Sequence, residues 1–345
     1  MSRKSRLLGF LLTAVFIWMV ARNVSIEEFV AAFRDADYRL VAPAALLTFS
    51  GYLLRTLRWS RIVRPVVSLP FRAAFSILMM GFAANNLLPA RLGEFVRAYL
   101  LRRRVGVRKT YGMATVILER ICDGVTLIAL LGAVSLLMPL PVWGQEVQMV
   151  SSLLFLGASA GVLLLLVRES LAARLFRLAL SLFPPNLSGP LLRAADAFIL
   201  GLHSLKSRRT LAAVVALSAG IWLLEAGSYL LMTQAFGVLM PPLRQALAAA
   251  FLLVVVNLGI MLPSAPGYVG TFQFFAVMAL GAFGVPKETA LAISISSHLV
   301  QYSLVTGMGL VFFARENVSF WSFEKEAARD AEAEEDGATS PAALG

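Results

Sequence analysis

The sequence predicts an all-α polytopic membrane protein, built as an inverted-topology repeat with two re-entrant broken-helix hairpins. Three observations carry that reading. The chain is 59% hydrophobic and 15% charged, with a mean hydropathy of +0.77, so lipid is its solvent. Its arginines gather between apolar runs, where they set topology. Two polar interruptions, Asn85-Asn86-Leu-Leu-Pro89-Ala-Arg91-Leu-Gly93-Glu94 and Asn257 to Thr271, fall inside apolar sequence about half a chain apart and look alike. Flanked this way, they are loops between spans or broken helices shielded by protein.

A net charge of +11 would suggest nucleic acid in a soluble protein, but here it lies between spans, and no nucleic-acid partner is expected. One cysteine, Cys122, excludes an intramolecular disulfide, and two distant histidines, His203 and His298, give no metal site. No cofactor is expected.

Each element follows from the alternation of apolar runs and charge. Basic residues Arg3 to Arg6 followed by Leu7 to Ala21 resemble a signal peptide, but Ala21-Arg22-Asn23 is a poor cleavage site; an uncleaved first span is expected, with a cytoplasmic N-terminus. Residues 22–39 carry one net negative charge and belong outside. Leu40 to Leu54 crosses back and meets Arg55, Arg58, Arg61, Arg64 and Arg72, which mark the cytoplasmic side. Phe71 to Leu88 enters the bilayer, yet residues 91–109 carry +6 and are cytoplasmic as well. Gly93 to Leu101 rises only about 14 Å at about 1.5 Å per residue, too little for a core of about 30 Å. A hairpin that enters, breaks at Asn85 to Arg91 and returns is the economical solution.

Thr110 to Met138 then spans outward and Met149 to Val167 returns. Residues 168–209 carry +5, and Leu171, Leu175, Leu178 and Leu182 recur at helical spacing, as in a helix lying on the membrane surface. Leu211 to Phe236 crosses outward, Leu243 to Phe283 holds the second break, and Ala290 to Ala314 crosses inward. One membrane domain is therefore expected over 1–315, and the acidic tail, 316–345, is expected to be disordered and cytoplasmic.

The two halves align. Asn85 meets Asn257 at an offset of 172, Pro89 meets Pro263 and Gly93 meets Gly267 at 174, and Gly106-Val-Arg-Lys109 meets Gly284-Val-Pro-Lys287 at 178. At that last offset Arg120 faces His298 and Asp123 faces Gln301. Repeat one covers about 40–138 and repeat two about 211–314, with every direction reversed. Transporters of that architecture hold their site at the midplane, where broken helices meet.

The chemistry expected of the breaks is anion binding. Helices starting after Pro89 and after Gly270 would aim free N–H groups and positive dipole ends into the membrane, where they suit a phosphate. Gly93, Gly267 and Gly270 permit close approach, and Thr271 is a plausible N-cap. Arg91 and Arg97 add fixed positive charge, although Arg97 serves equally as an interfacial anchor. Asn85, Asn86 and Asn257 bind a head group or tie down freed backbone.

Glu119, Arg120 and Asp123 crowd one side of a span; two acids and one base need another cation, with Arg91 or Arg97 the candidate. A closed structural ion network is the alternative. Glu225, alone in its span, is a proton carrier or packing glue. No P-loop, dinucleotide, zinc-protease or nucleophile-elbow pattern is present, so ATP hydrolysis is not expected.

Asn86-Leu-Leu-Pro89-Ala-Arg91-Leu-Gly93-Glu94 with Arg97, Glu119-Arg120-x-x-Asp123, and Pro263-Ser264-x-Pro266-Gly267-x-x-Gly270-Thr271 together resemble the lysylphosphatidylglycerol synthase transmembrane, or flippase-like, domain family. Gln273 stands where that pattern suggests Glu. The resemblance implies a membrane domain that moves modified phospholipid between leaflets of the bacterial cytoplasmic membrane. Residues 315–345 are too short for the soluble synthase domain of bifunctional members, so a stand-alone, non-enzymatic flippase is the expectation. Its partners would be the membrane lipid and a separate lipid-modifying enzyme. The alternatives are a membrane-embedded transferase on a polyprenyl- or hopanoid-linked substrate, with Glu119 or Asp123 as base, and a non-transporting partner of such an enzyme.

Overall fold

The computed structural model describes residues 3–88, 91–167, 207–262 and 264–318, and every described element is helical. In chain order these are α1 (Arg3–Ala21), α2 (Ile26–Arg34), α3 (Val41–Val63), α4 (Phe71–Leu87), α5 (Gly93–Val105), α6 (Lys109–Leu137), α7 (Val142–Val167), α8 (Arg208–Ala235), α9 (Pro242–Gly259), α10 (Thr271–Gly281) and α11 (Lys287–Arg315). The expected surface helix around Leu171 to Leu182 and most of the acidic tail lie outside the described residues, as do Pro89 and Pro263.

Local chemistry sets the ends. Pro70, Pro241 and Pro286 precede α4, α9 and α11, where a missing N–H costs nothing. Gly106 closes α5 in the left-handed conformation, φ 74°. Ser25 caps α2 by accepting from the Glu28 amide at 3.3 Å.

Among the described residues, five helical stretches can cross a bilayer by length and composition: Tyr38–Val63, Lys109–Leu137, Arg208–Ala235, Pro242–Gly259 and Lys287–Arg315. A sixth follows if Gly9–Ala21 and Ile26–Arg34, bent by 86°, form one broken span. The protein is thus an all-helical, multi-pass membrane protein. Three boundaries differ from expectation. Residues 26–34, read as loop, form α2, because Ser25 and the acidic first turn give it a start. The 18-residue α9, read as one arm of a hairpin, is about 27 Å long and meets the span criterion alone. Most consequential, α3 runs past Leu54 to Val63, carrying Arg55 and Arg58 into the protein interior.

Helices pair in two matching sets. In the first half α3 packs on α4, α4 on α5 and α5 on α6; in the second α8 packs on α9, α9 on α10 and α10 on α11. Across the halves α3 lies antiparallel along α8, joined by Thr48 to Ser228 at 2.9 Å and by Arg58 to Ser218 at 2.9 Å. α4 lies along α11, where Gly309 has no room for a Cβ: it would sit 2.2 Å from the Ala83 Cβ. One apolar core gathers around Leu131, Phe251 and Leu253, the other around Trp59, Met79 and Leu101. Along α3 and α6 the charged residues fall between the two.

Candidate functional site

The first break is shorter than the sequence suggests. α4 continues through Asn85 and Asn86 to Leu87, and Leu88 turns extended. Arg91 then takes a left-handed φ of 55° before α5 begins at Gly93. Asn86 Nδ2 donates to Thr306 Oγ1 on α11 at 2.9 Å, while the buried Asn85 Oδ1 has no partner. Gly93 backs directly onto α4: a Cβ there would lie 1.9 Å from the Gly81 carbonyl oxygen and 2.7 Å from the Asn85 nitrogen. Only glycine allows that approach.

The second break follows Gly259. Pro266–Tyr268 form a single tight turn with Gly267 at φ 72° and Tyr268 at φ 58°, and Gly270 sits at φ 81°. The expected cap is corrected here. Gly270, not Thr271, occupies the cap position, because its φ is one that threonine tolerates poorly; the buried Thr271 Oγ1 has no partner. Gln273 does the reaching back, its Oε1 accepting from the Gly270 amide at 2.7 Å. Ser264 and Ala265 rest on α1, where Thr13 Oγ1 accepts from the Ala265 amide at 3.0 Å. Asn257 donates to the Leu253 carbonyl of its own helix at 2.9 Å.

The two breaks meet. Arg91 donates to the Ile260 carbonyl at 2.9 Å, placing a cation on the C-terminal end of α9, and its guanidinium lies 5.9 Å over the Tyr268 ring. A Cβ on Gly267 would lie 3.4 Å from the Asn86 carbonyl oxygen. Arg91 therefore approaches the second break, whereas Gly93 is turned toward α4.

Beside this meeting point lies a buried ion network. Arg97 pairs with Glu119 and covers the Trp59 ring at 4.6 Å, which settles its orientation inward, away from the interface. Arg58 reaches Asp123 at 2.8 Å and Glu119 at 3.6 Å; Arg55 reaches Asp123 at 3.7 Å and Glu225 at 3.4 Å; Arg120 reaches Asp123 at 3.3 Å. The cation that Glu119 and Asp123 require is therefore Arg97 together with Arg55 and Arg58; Arg91 pairs with none of these carboxylates. Arg55 and Arg58 were missed because five arginines in a row of acid-free sequence look like a topological flank. The available signal was spacing: Thr48, Gly51, Arg55, Arg58 and Ile62 recur at three and four residues, continuing the buried face of α3.

Gln301 joins this network by donating to Glu225. His298 does not, although it aligns with Arg120. Its Nδ1 meets Gln273 Nε2 at 3.1 Å and its ring stacks on Phe272 at 4.5 Å. Arg58 and Arg97 are sealed, their side chains 0% and 2% exposed, but that of Arg120 is 32% exposed. Its buried Nε has no partner, and Glu94 and Tyr268 lie within electrostatic reach of it. Arg91, Glu94, Arg120 and Tyr268 thus form a partly open polar patch between the breaks. Among the described residues no group of His, Cys, Asp and Glu is placed to hold a metal.

Comparison with known proteins identifies relatives of this arrangement. Glycosyltransferase AglD of Haloferax volcanii is 26% identical over 94% of this chain, and the chain spans 57% of that relative's length. A UPF0104 membrane protein of Methanothermobacter thermautotrophicus is 25% identical over 88% of this chain and 89% of its own. Another, from Methanocaldococcus jannaschii, is 22% identical over 87% and 92%. No solved structure matches the chain. The first of these corrects the expectation of a protein without enzymatic activity, because a relative matched over nearly the whole chain bears an enzyme's name. The model of the lysylphosphatidylglycerol synthase TM region matches residues 6–309, and the chain belongs to that family.

Proposed function

We propose that this chain is a membrane-embedded transferase component that acts on a lipid-linked, phosphate-bearing substrate. The phosphate would bind at the patch between the two breaks. The observation that carries this reading is the partly exposed pair Arg91 and Arg120, set beside a network whose Arg58 and Arg97 are sealed from solvent. Guanidinium groups suit phosphate oxygens bidentately, and the unpartnered Nε of Arg120 has capacity to give. Tyr268 offers a ring and Glu94 a carboxylate to the carried group, while the lipid tail stays in the bilayer. The kinship with a glycosyltransferase-named protein supports a sugar as that group. Glu119 and Asp123, each held by more than one arginine, serve in this reading as structural counter-charges and not as bases.

Movement of the head group between leaflets is the second reading, and one observation favours it. The matching helix pairings of the two halves, with α3 antiparallel to α8, support an inverted repeat with re-entrant hairpins, as the sequence alignment suggests. The multi-pass chain would then sit in the cytoplasmic membrane with both termini inside.

Purified protein in proteoliposomes, supplied with a polyprenyl phospho-sugar and lipid extract, separates the two. Transferase function gives a product of new mass that Arg120→Ala abolishes; translocation alone gives leaflet exchange with no change of mass. Neither outcome in the wild type would refute both.

A further inference from the structure

Glu225 differs from the other buried carboxylates. Glu119 faces Arg97 and Arg58, and Asp123 faces Arg58, Arg55 and Arg120. Glu225 has one guanidinium, Arg55 at 3.4 Å, and one neutral amide, Gln301. It is 5% exposed. Among the described residues, four other helices and Tyr229 of its own helix surround it. α3 presents Tyr52 and Arg55, α6 presents Asp123, α11 presents Gln301, and α8 itself adds Tyr229. The charged residue of α9, Arg244, is spent on the Phe283 carbonyl, and Arg39 of the turn before α3 is exposed.

Charge counting gives Glu225 a task. The network holds four arginines (Arg55, Arg58, Arg97, Arg120) and three carboxylates (Glu119, Asp123, Glu225), one net positive charge; Arg91 and Glu94 beside it cancel. A phosphodiester brings one negative charge and closes the account. A phosphomonoester brings nearly two at neutral pH. It leaves one surplus negative charge in apolar surroundings, where unpaired charge is expensive. Arg55 touches both Asp123 and Glu225, so a charge added beside Arg120 is felt at Glu225 through shared partners.

We propose that Glu225 is a proton-binding site linked to the phosphate patch: it takes up about one proton when a lipid phosphomonoester binds at Arg91 and Arg120, and none when a phosphodiester binds. This rests on the phosphate reading above. No bond to carbon or phosphorus changes; a carboxylate and a proton from solvent become a carboxylic acid.

The test uses the full chain in phosphatidylcholine nanodiscs, weakly buffered at about pH 8, with a pH indicator. Polyprenyl phosphate is the monoester probe and a polyprenyl phospho-sugar the diester probe. About one proton per bound monoester is expected, and near zero for the diester; Glu225→Gln abolishes the uptake while retaining monoester binding. Infrared difference spectra of wild-type protein carrying ¹³C-glutamate need no substitution, and should show a protonated-glutamate carbonyl band on monoester binding. Binding without uptake, uptake that persists in Glu225→Gln, or a missing carbonyl band overturns this inference alone. Failure of both lipids to bind overturns the phosphate patch and the linkage with it.

Discussion

Arg97 and Arg61 show how far two arginines of similar sequence context diverge. Arg97 is sealed over Trp59 against Glu119, whereas Arg61 reaches, among the described residues, only the Leu57 carbonyl of its own helix. Arg97→Ala leaves Glu119 with Arg58 alone and should cost roughly 3–5 kcal/mol; Arg61→Ala should stay within about 0.5 kcal/mol, both read from thermal unfolding in detergent. Gly93→Ala is a second test at this scale. With the Gly81 carbonyl 1.9 Å from the new Cβ, the start of α5 must shift, and a loss of roughly 1–3 kcal/mol is expected from the same measurement. Much of the site was legible in the sequence because chemistry there is local: Asn86, Arg91, Gly267 and Gly270 stand out as polar or flexible residues in apolar surroundings. Arg55 and Arg58 were not legible, because a charge's partner, unlike its type, is a tertiary fact.

At the scale of elements, the breaks are held by helices that lie far away in sequence. α4 is fastened to α11 through Asn86 and Thr306, and α1 covers the second break through Thr13 and Phe16, which stacks on Phe274 at 4.6 Å. A double-mutant cycle of Asn86→Ala and Thr306→Ala should return a coupling of about 0.5–1.5 kcal/mol, the range for hydrogen bonds between membrane helices. Additive effects would mean that the bond does not fasten the break. The sequence placed the helix interruptions within a few residues and most of the spans, but it ended α3 at Leu54, where the charge of Arg55 and Arg58 hid the continuing helix. It missed α2, a helix of nine residues whose apolar residues, Phe29 and Phe33, pack against the protein, because its charges read as an external loop.

At the scale of the molecule, among the described residues, two apolar cores with a band of paired charges between them leave a cationic patch partly open where two helix breaks meet. That layout accounts for the charge surplus, the position of the glycines and the matched pairings of the halves. It also separates the arginines: Arg91 and Arg120 line the partly open patch proposed to bind phosphate, and Arg58 and Arg97 lie sealed in the ion network. The most direct measurement is native mass spectrometry of the detergent-purified protein incubated with polyprenyl phosphate, comparing wild type with Arg120→Gln and Arg61→Gln. The account predicts a bound phospholipid peak that Arg120→Gln reduces at least tenfold, on the order of the 1.4 kcal/mol or more expected for a charge-assisted contact, and that Arg61→Gln leaves unchanged. Equal retention by wild type and Arg120→Gln would contradict it.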